Sequence, residues 1–245
     1  MLNIGRSPQG HPIVLQAGGS DAGQELAAAT ADVVFSAVQE FDGAQRAYAS
    51  LKQRVVRRGR SPDEVCVLPG VMPIVAETDA KAMALLNQLQ SFVDSSVASE
   101  MLYARLNIHA TAENLDKPLP DDMPLPDGGH TFARNMIAKA RRENLTMRDL
   151  YNLVAAARGH LVVCGSPKTI ADTFEKWFTE GAADGFNILP PYFPGGLSDF
   201  VDMVVPELQT RGLFRKEYSG TTLRDHFGLA RPAPKRAGSP TSSAA

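Results

Sequence analysis

The sequence alternates short apolar runs with segments of helical periodicity, and this order restricts the chain to few folds. Apolar runs typical of buried strands cover residues 13–17, 33–38, 65–76, 160–164 and 185–189. Helical segments separate these runs and follow the last of them. Because apolar strands that alternate with helices are typical of a parallel sheet covered by helices, the sequence predicts an α/β fold.

Prolines and helical periodicity set the predicted limits of several elements. Pro69 and Pro73 predict that the third strand bends or ends near Val71, since proline cannot donate a backbone hydrogen bond. Helical periodicity predicts helical structure from residue 79 to about 105, and two helices over residues 132–157.

Residues 107–130 interrupt the alternating pattern. They contain four prolines and five acidic residues, with no periodic apolar face. We therefore expect an irregular insertion that contributes nothing to the core and acts as a mobile lid. Residues 233–245 are rich in Pro, Ser and Ala and predict a disordered tail, which leaves 1–232 as the folded part.

Charge and composition exclude several classes of partner. Lys and Arg number 25 against 27 Asp and Glu, so the net charge is -2 and no basic field exists for nucleic acid or an anionic membrane surface. No apolar run is long enough for a spanning helix or a secretory signal, which favours a cytoplasmic protein. Cys66 and Cys164 lie in apolar runs and are expected to be buried, reduced thiols.

The turn QAGGSDAG gives the best local candidate for a binding site. It places Gly18, Gly19 and Ser20 between the first strand and a helix. Backbone N–H groups and the serine hydroxyl could bind a phosphate at the positive end of the helix dipole. The same residues also serve as an ordinary helix cap, so both interpretations stay open on the local pattern.

Other candidate residues give weaker signals. His109 and His130 flank the irregular insertion, while His160 and Asp184 stand beside predicted strands and fit either an active site or packing. Metal-binding spacings such as HExxH and CxxC do not occur, which makes a metal site improbable. The GxSxG elbow of many hydrolases is also missing.

Several segments together resemble one enzyme family. QAGGSDAGQELAAATADVVFSA, VVCGSPKTIADTFEKWFTEGAADGFNILPP and DFVDMVVPELQTRGLFRKEYSGTTLRDHFGLARP follow one another in unbroken order. They resemble the second half of the nitrilotriacetate monooxygenase component A family. This family is a flavin-dependent branch of the bacterial-luciferase-like enzymes.

The resemblance implies a fold and a cofactor. The fold would be the later part of a luciferase-like TIM (β/α)8 barrel, with a mostly helical late insertion and the early strands absent. The cofactor would be reduced FMN, supplied by a separate NAD(P)H-dependent flavin reductase. One oxygen atom of O2 would enter a small organic substrate. Within the turn, Ser20 would hydrogen-bond the FMN phosphate and Gly19 would allow close backbone approach.

Two functional hypotheses remain open. The first is a truncated form of a two-component FMN-dependent monooxygenase, which is expected to be a homo-oligomer at full length. The second is a catalytically inactive phosphate-ligand-binding or interaction protein that retains the Ser20 turn. On the first hypothesis, the catalytic residues fall largely in the missing half, so we expect no turnover by this chain alone.

Overall fold

A parallel β-sheet forms the centre of the computed structural model, which describes residues 5–111, 113–120, 130–157 and 159–233. Its strands are β1 (Leu15–Ala17), β2 (Val33–Ser36), β3 (Cys66–Val75), β4 (Leu161–Gly165) and β5 (Asn187–Ile188). The pairings β1–β2, β2–β3, β3–β4 and β3–β5 are all parallel. The predicted α/β fold with a parallel sheet is therefore confirmed, while the barrel context stays a prediction.

Helices connect and cover the strands. They are α1 (Asp21–Thr30), α2 (Phe41–Arg57), α3 (Asp79–Ser91), α4 (Ser95–Leu106), α5 (His130–Arg142), α6 (Met147–Ala157), α7 (Pro167–Thr179), α8 (Gly195–Asp199), α9 (Val205–Thr210) and α10 (Leu223–His226). A 3₁₀ turn spans Pro62–Glu64, and a π-helical turn, Phe200–Val204, joins α8 to α9. Among the described helices, none combines the length and apolarity that crossing a membrane requires.

The helices between β3 and β4 confirm two predictions. The helical structure predicted from 79 to about 105 is present, divided into α3 and α4 by a break in the chain. Asp94 causes the break by capping α4, where its carboxylate accepts a hydrogen bond from the Ser96 N–H at 2.7 Å. The two helices predicted over 132–157 are present as α5 and α6.

Strand β3 continues through both of its prolines to Val75, so of the two outcomes predicted near Val71, a bend or an end, the end is wrong. The backbone groups of Val67 bond to Asp184, and the Val71 carbonyl accepts from Leu189, both on the β5 edge. Backbone groups of alternate residues in a strand point to opposite sides. Pro69 and Pro73 are odd-numbered like Val67 and Val71, so their backbone nitrogens also face the β5 side. The missing N–H groups consequently leave the pairing of β3 with β2 and β4 intact.

Strand β1 is more exposed than its sequence predicts. Leu15 is 56% exposed and Val14, just before the strand, is 40% exposed. In the described part of the chain β1 pairs with β2 alone, which places it at an edge of the sheet. The expectation of a buried strand is therefore wrong here, because apolar composition does not reveal how many neighbours a strand has.

The segment before α5 is packed, contrary to the expectation that the insertion stays outside the core. Ile108, Leu115 and Leu119 are buried in one apolar cluster with α4, α5 and α6. The segment is also held by backbone hydrogen bonds from Met147 to Lys117 and from Arg148 to Leu115. Burial of its few spaced leucines outweighs its polar composition. Residues 121–129 of the proposed lid, and 234–245 of the proposed tail, lie outside the described residues.

Asp184 joins three elements at the amino end of β5. Its carboxylate accepts hydrogen bonds from the Tyr48 hydroxyl at 2.8 Å and the Val67 N–H at 2.7 Å, and pairs with the Lys52 ammonium at 2.9 Å. Burial and this carboxylate raise the pKa of Tyr48. Since all of these partners are internal, the structure gives Asp184 a structural role and not a catalytic one.

We expect Asp184→Ala to destabilise the fold by about 2 to 4 kcal/mol, because it leaves the Val67 N–H and the Tyr48 hydroxyl without their acceptor. Tyr48→Phe removes one of these bonds and is expected to cost about 1 kcal/mol. Urea unfolding followed by circular dichroism measures both. Equal stability of Asp184→Ala and the unchanged protein would contradict this role.

Gly70 in β3 has no room for a side chain. A Cβ there would lie 2.6 Å from His160 Nδ1 and 2.9 Å from Phe35 Cε2. We expect Gly70→Ala to lower the free energy of unfolding by about 1 to 3 kcal/mol, since two packed rings must shift. Gly43→Ala in α2 is the control, because a Cβ there would meet its nearest atom, Val38 Cγ1, at 3.6 Å. Alanine favours a helix, so a gain of up to about 1 kcal/mol is expected there.

Candidate functional site

The predicted turn after β1 forms the start of α1. Gly18 has a φ of +149°, a conformation that suits glycine. Ser20 is the N-cap of α1, and its Oγ accepts a hydrogen bond from the Gly23 N–H at 3.1 Å. The Ser20 carbonyl accepts from the Gln24 N–H at 2.9 Å. The helix cap predicted from the local pattern is therefore present.

Capping leaves the turn able to donate to an anion. The serine hydroxyl accepts from Gly23 through a lone pair, which leaves its own hydrogen free to donate. The N–H groups of Asp21 and Ala22 lie in the first helical turn, where no intrahelical acceptor exists. A Cβ on Gly19 would meet nothing within 4 Å, and Gly18, Gly19 and Ser20 are all exposed. A phosphate can therefore approach the backbone directly.

The charge of Asp21, beside this turn, is compensated by α2. Arg54 pairs with Asp21 and with Glu25, and Arg58 pairs with Glu25 at 2.9 Å. The hydrogen bond to Asp21 is the main cause that raises the pKa of Arg54. Hydrogen bonds from Arg58 and Arg54 hold the pKa of Glu25 below its ordinary value. The first turn of α1 thus keeps its favourable field for an anion.

A cavity of about 400 Å³ lies at the same end of the sheet as the Gly18–Ser20 turn. It lies between β4, the loop after β2 and helices α3, α5 and α6. Its lining combines aliphatic side chains with amides and paired charges: Gln39, Leu86, Gln90, Lys139, Glu143, Leu145, Asp149, Asn152, Leu153, His160, Leu161, Val162 and Cys164. A volume of this size suits a small organic ligand or part of a larger one.

The turn and the cavity are linked by the register of the sheet. Ala17 of β1 pairs with Phe35 of β2, so Gly18 and the residues after Phe35 leave the sheet at the same edge. Gln39 follows β2 and lines the cavity. Ligands of open parallel sheets bind outside the carboxyl ends of strands, and both features lie there.

His160 lines the cavity as a neutral, packed ring. Its ring centroid lies 5.0 Å from that of Phe35, and burial lowers the pKa of His160. The Gln39 amide donates to the His160 carbonyl at 3.5 Å. Among the described residues, no partner reaches His160 Nδ1 or Gln39 Oε1, although both atoms are buried. The bond from Gln39 to the His160 carbonyl and the packing of His160 on Phe35 join β2 and the loop after it to the start of β4.

The remaining predicted residues do not assemble with this site. The His109 ring packs against Tyr103 at 4.5 Å between centroids. Asp184 lies at the amino end of β5, beside Val67 near the start of β3, and so at the end of the sheet away from the turn. His130 begins α5, and its side chain lies outside the described residues. Cys66 and Cys164 are free thiols whose pKa burial raises. Within the described ranges, no group of three His, Cys, Asp or Glu residues could hold a metal.

Sequence reasoning missed Gln39, Lys139 and Asn152 as cavity residues. Gln39 carries a usable signal, because it directly follows the end of a parallel strand. Lys139 and Asn152 carry none, since they lie in α5 and α6, whose packing no local pattern predicts.

Comparison with known proteins gives consistent relatives. The chain is 50% identical over 232 residues to nitrilotriacetate monooxygenase component A of Aminobacter aminovorans, covering 94% of this chain and 51% of the relative. It is 43% identical to N-acetyl-S-(2-succino)cysteine monooxygenase of Bacillus subtilis, covering 96% and 54%. The chain thus spans about half the length of the curated relatives it matches.

The fold has a solved counterpart. EDTA monooxygenase from Chelativorans sp. BNC1 is 32% identical and superposes with a TM-score of 0.78, over 94% of this chain and 52% of that one. The family model of luciferase-like monooxygenases matches residues 3–184, which is well over half of the sequence. The resemblance predicted from the sequence is confirmed, and the chain belongs to the luciferase-like monooxygenase family.

Proposed function

We propose that this chain is part of a two-component, FMN-dependent monooxygenase that uses reduced FMN and O2 to oxygenate a small organic substrate. The observation that carries the proposal is the exposed turn at the start of α1, whose serine hydroxyl is free to donate. Family membership and the cavity at the same edge of the sheet support it.

The turn would hold the FMN phosphate. Ser20 donates its hydroxyl hydrogen to a phosphate oxygen, and the N–H groups of Asp21 and Ala22 donate alongside it. Gly19 permits this approach because it leaves the space in front of the backbone empty. Gly19 and Ser20 are thus the proposed cofactor-binding residues of this chain.

The cavity would take the reacting organic groups. Leu86, Leu145 and Leu153 line it and would reduce the contact of a bound ligand with water, which strengthens polar interactions. Bound reduced FMN would supply the electrons that activate O2, so one oxygen atom enters the substrate and the other leaves as water. The residues of this chain orient the ligands and shield them. His160 stays neutral at pH 7, so it adds no charge to the cavity.

The partner would be an NAD(P)H-dependent flavin reductase that delivers reduced FMN. Two of the relatives are named for nitrilotriacetate and N-acetyl-S-(2-succino)cysteine, which both carry carboxylates next to a carbon–heteroatom bond. Lys139 is the cation lining the cavity, and it pairs with Glu40 at 3.0 Å and Glu143 at 2.8 Å. Because Lys139 already has two carboxylate partners, it does not single out a carboxylate substrate. We therefore propose small organic molecules as the substrate class and name no particular compound.

We expect Ser20→Ala to weaken FMN binding by about 1.5 to 3 kcal/mol, roughly 10- to 100-fold in Kd, because one hydrogen bond to a charged phosphate is lost. Riboflavin lacks the phosphate, so its affinity should not change. Fluorescence quenching measures both ligands.

Ser61→Ala is the matched control for this experiment. Ser61 caps the 3₁₀ turn by accepting from the Asp63 N–H at 3.4 Å, at the other end of the sheet. This variant should lose capping stability and keep its FMN affinity. If Ser20→Ala and Ser61→Ala bind FMN equally well, the turn is a helix cap and holds no phosphate.

The second expectation concerns catalysis. A protein containing this chain, mixed with a flavin reductase, NADH, FMN and O2, should convert a substrate from a panel that includes nitrilotriacetate, EDTA and N-acetyl-S-(2-succino)cysteine. Mass spectrometry detects the oxygenated or cleaved product, and ¹⁸O2 labels the inserted atom. The reductase without this protein is the control. FMN binding together with hydrogen peroxide as the sole oxygen product would favour the phosphate-ligand-binding alternative.

A further inference from the structure

A buried ion pair anchors the amino end of β1 to the C-terminal segment. Asp32 and Arg224 are 8% and 4% exposed and are the buried charged residues among those that the structure describes. Arg224 Nη2 lies 2.6 Å from Asp32 Oδ2. Arg224 also donates to the Ala230 carbonyl at 3.3 Å, so it fixes the chain that follows α10. A pair this well buried is costly to break, because either partner would be left as an unpaired charge.

The carboxylate in this pair also holds the chain that leads into β1. Asp32 Oδ2 accepts a hydrogen bond from the Val14 N–H at 2.9 Å. The Val14 carbonyl in turn accepts from the N–H groups of Asp32 and Val33 at 2.9 and 3.1 Å. Asp32 therefore binds both backbone groups of Val14, and Arg224 holds the carboxylate in the orientation that this requires.

Strand β1 has few other restraints in the described part of the chain. It has three residues and pairs with β2 on one side. Leu15 is 56% exposed, so side-chain burial contributes little to its position. The strand ends at Ala17 and is followed at once by the Gly18–Ser20 turn. Because the strand is extended, only about 13 Å of backbone separates the anchored Val14 from Gly18, at about 3.3 Å per residue.

We propose that Arg224 is a positioning residue for the Gly18–Ser20 turn, acting through Asp32 and the backbone of β1. This inference rests on the proposed function, in which the turn binds the FMN phosphate. Arg224 itself touches no ligand. Loss of Arg224 would leave the Asp32 carboxylate unpaired, so that it would turn towards water. The Val14 N–H would then lose its acceptor, and the end of β1 and the turn could move.

The test compares Arg224→Met and Arg224→Lys with the unchanged protein. Hydrogen–deuterium exchange without ligand should show faster exchange at residues 14–23, with β3 still protected. FMN should bind about fivefold or more weakly, the equivalent of about one hydrogen bond, while the Kd for riboflavin stays the same. A structural role alone would weaken both ligands equally or speed exchange throughout the sheet.

Arg231→Met is the matched control. Arg231 lies in the same segment and donates to the Ser7 carbonyl at 3.1 Å, without touching Asp32. It should change neither exchange at residues 14–23 nor the ratio of FMN to riboflavin affinity. Arg224→Lys keeps the charge but not the two-pronged guanidinium, so it reports on positioning if Arg224→Met fails to fold.

The outcomes separate this inference from the proposed function. Unchanged exchange at residues 14–23 in both Arg224 variants overturns the positioning role, whatever FMN does. Faster local exchange with an unchanged FMN affinity also overturns it, provided that Ser20→Ala weakens FMN. If Ser20→Ala has no effect on FMN, the proposed phosphate site is wrong, and the exchange data still decide whether Arg224 holds the turn.

Discussion

The alternation of backbone hydrogen-bonding groups along β3 is the constraint on which the rest of the structure depends: successive residues bond to opposite sides of the strand. Even-numbered residues bond to β2 and β4, as the bonds from Cys66 to Asp32 and from Ala76 to Gly165 show. Odd-numbered residues face β5, and both prolines of the strand are odd. One ten-residue strand can therefore hold three neighbours while carrying Pro69 and Pro73. A shift of either proline by one position would remove a donor from the pairing with β2 or β4.

This arrangement explains where the candidate site lies. Because β4 pairs with the second half of β3, it starts close to where β2 ends. His160 stands before β4 and packs on Phe35 near the end of β2, in the space that Gly70 leaves open. The cavity opens beside this junction and is covered by helices α3, α5 and α6. The Gly18–Ser20 turn follows β1, the next strand of the same sheet.

Charges in this chain mostly perform structural work around the site. Asp184 joins α2 to β3, Arg54 compensates the carboxylates of α1, and Asp32 with Arg224 holds the start of β1. Each has an internal partner, so none carries the free charge that acid–base catalysis requires. What the site offers a ligand is free backbone donors, a serine hydroxyl and a cavity whose lining mixes aliphatic side chains with amides and paired charges. On the proposed function, these groups would bind and shield a cofactor that carries the chemistry itself.

Local signals in the sequence were sufficient for the α/β fold, the helix that starts after Ser20 and the family. Each depends on neighbouring residues: apolar runs, a serine followed by a helical segment, and long ordered motifs. The same signals failed where distant residues decide the outcome. Only the tertiary structure determined that β1 is exposed, that β3 passes through its prolines, and that Leu115 and Leu119 of a polar segment are buried. The cavity and the Asp32–Arg224 pair also belong to this class, since their members are far apart in the chain. Burial and pairing depend on what the folded chain places opposite a residue, and no local pattern contains that information.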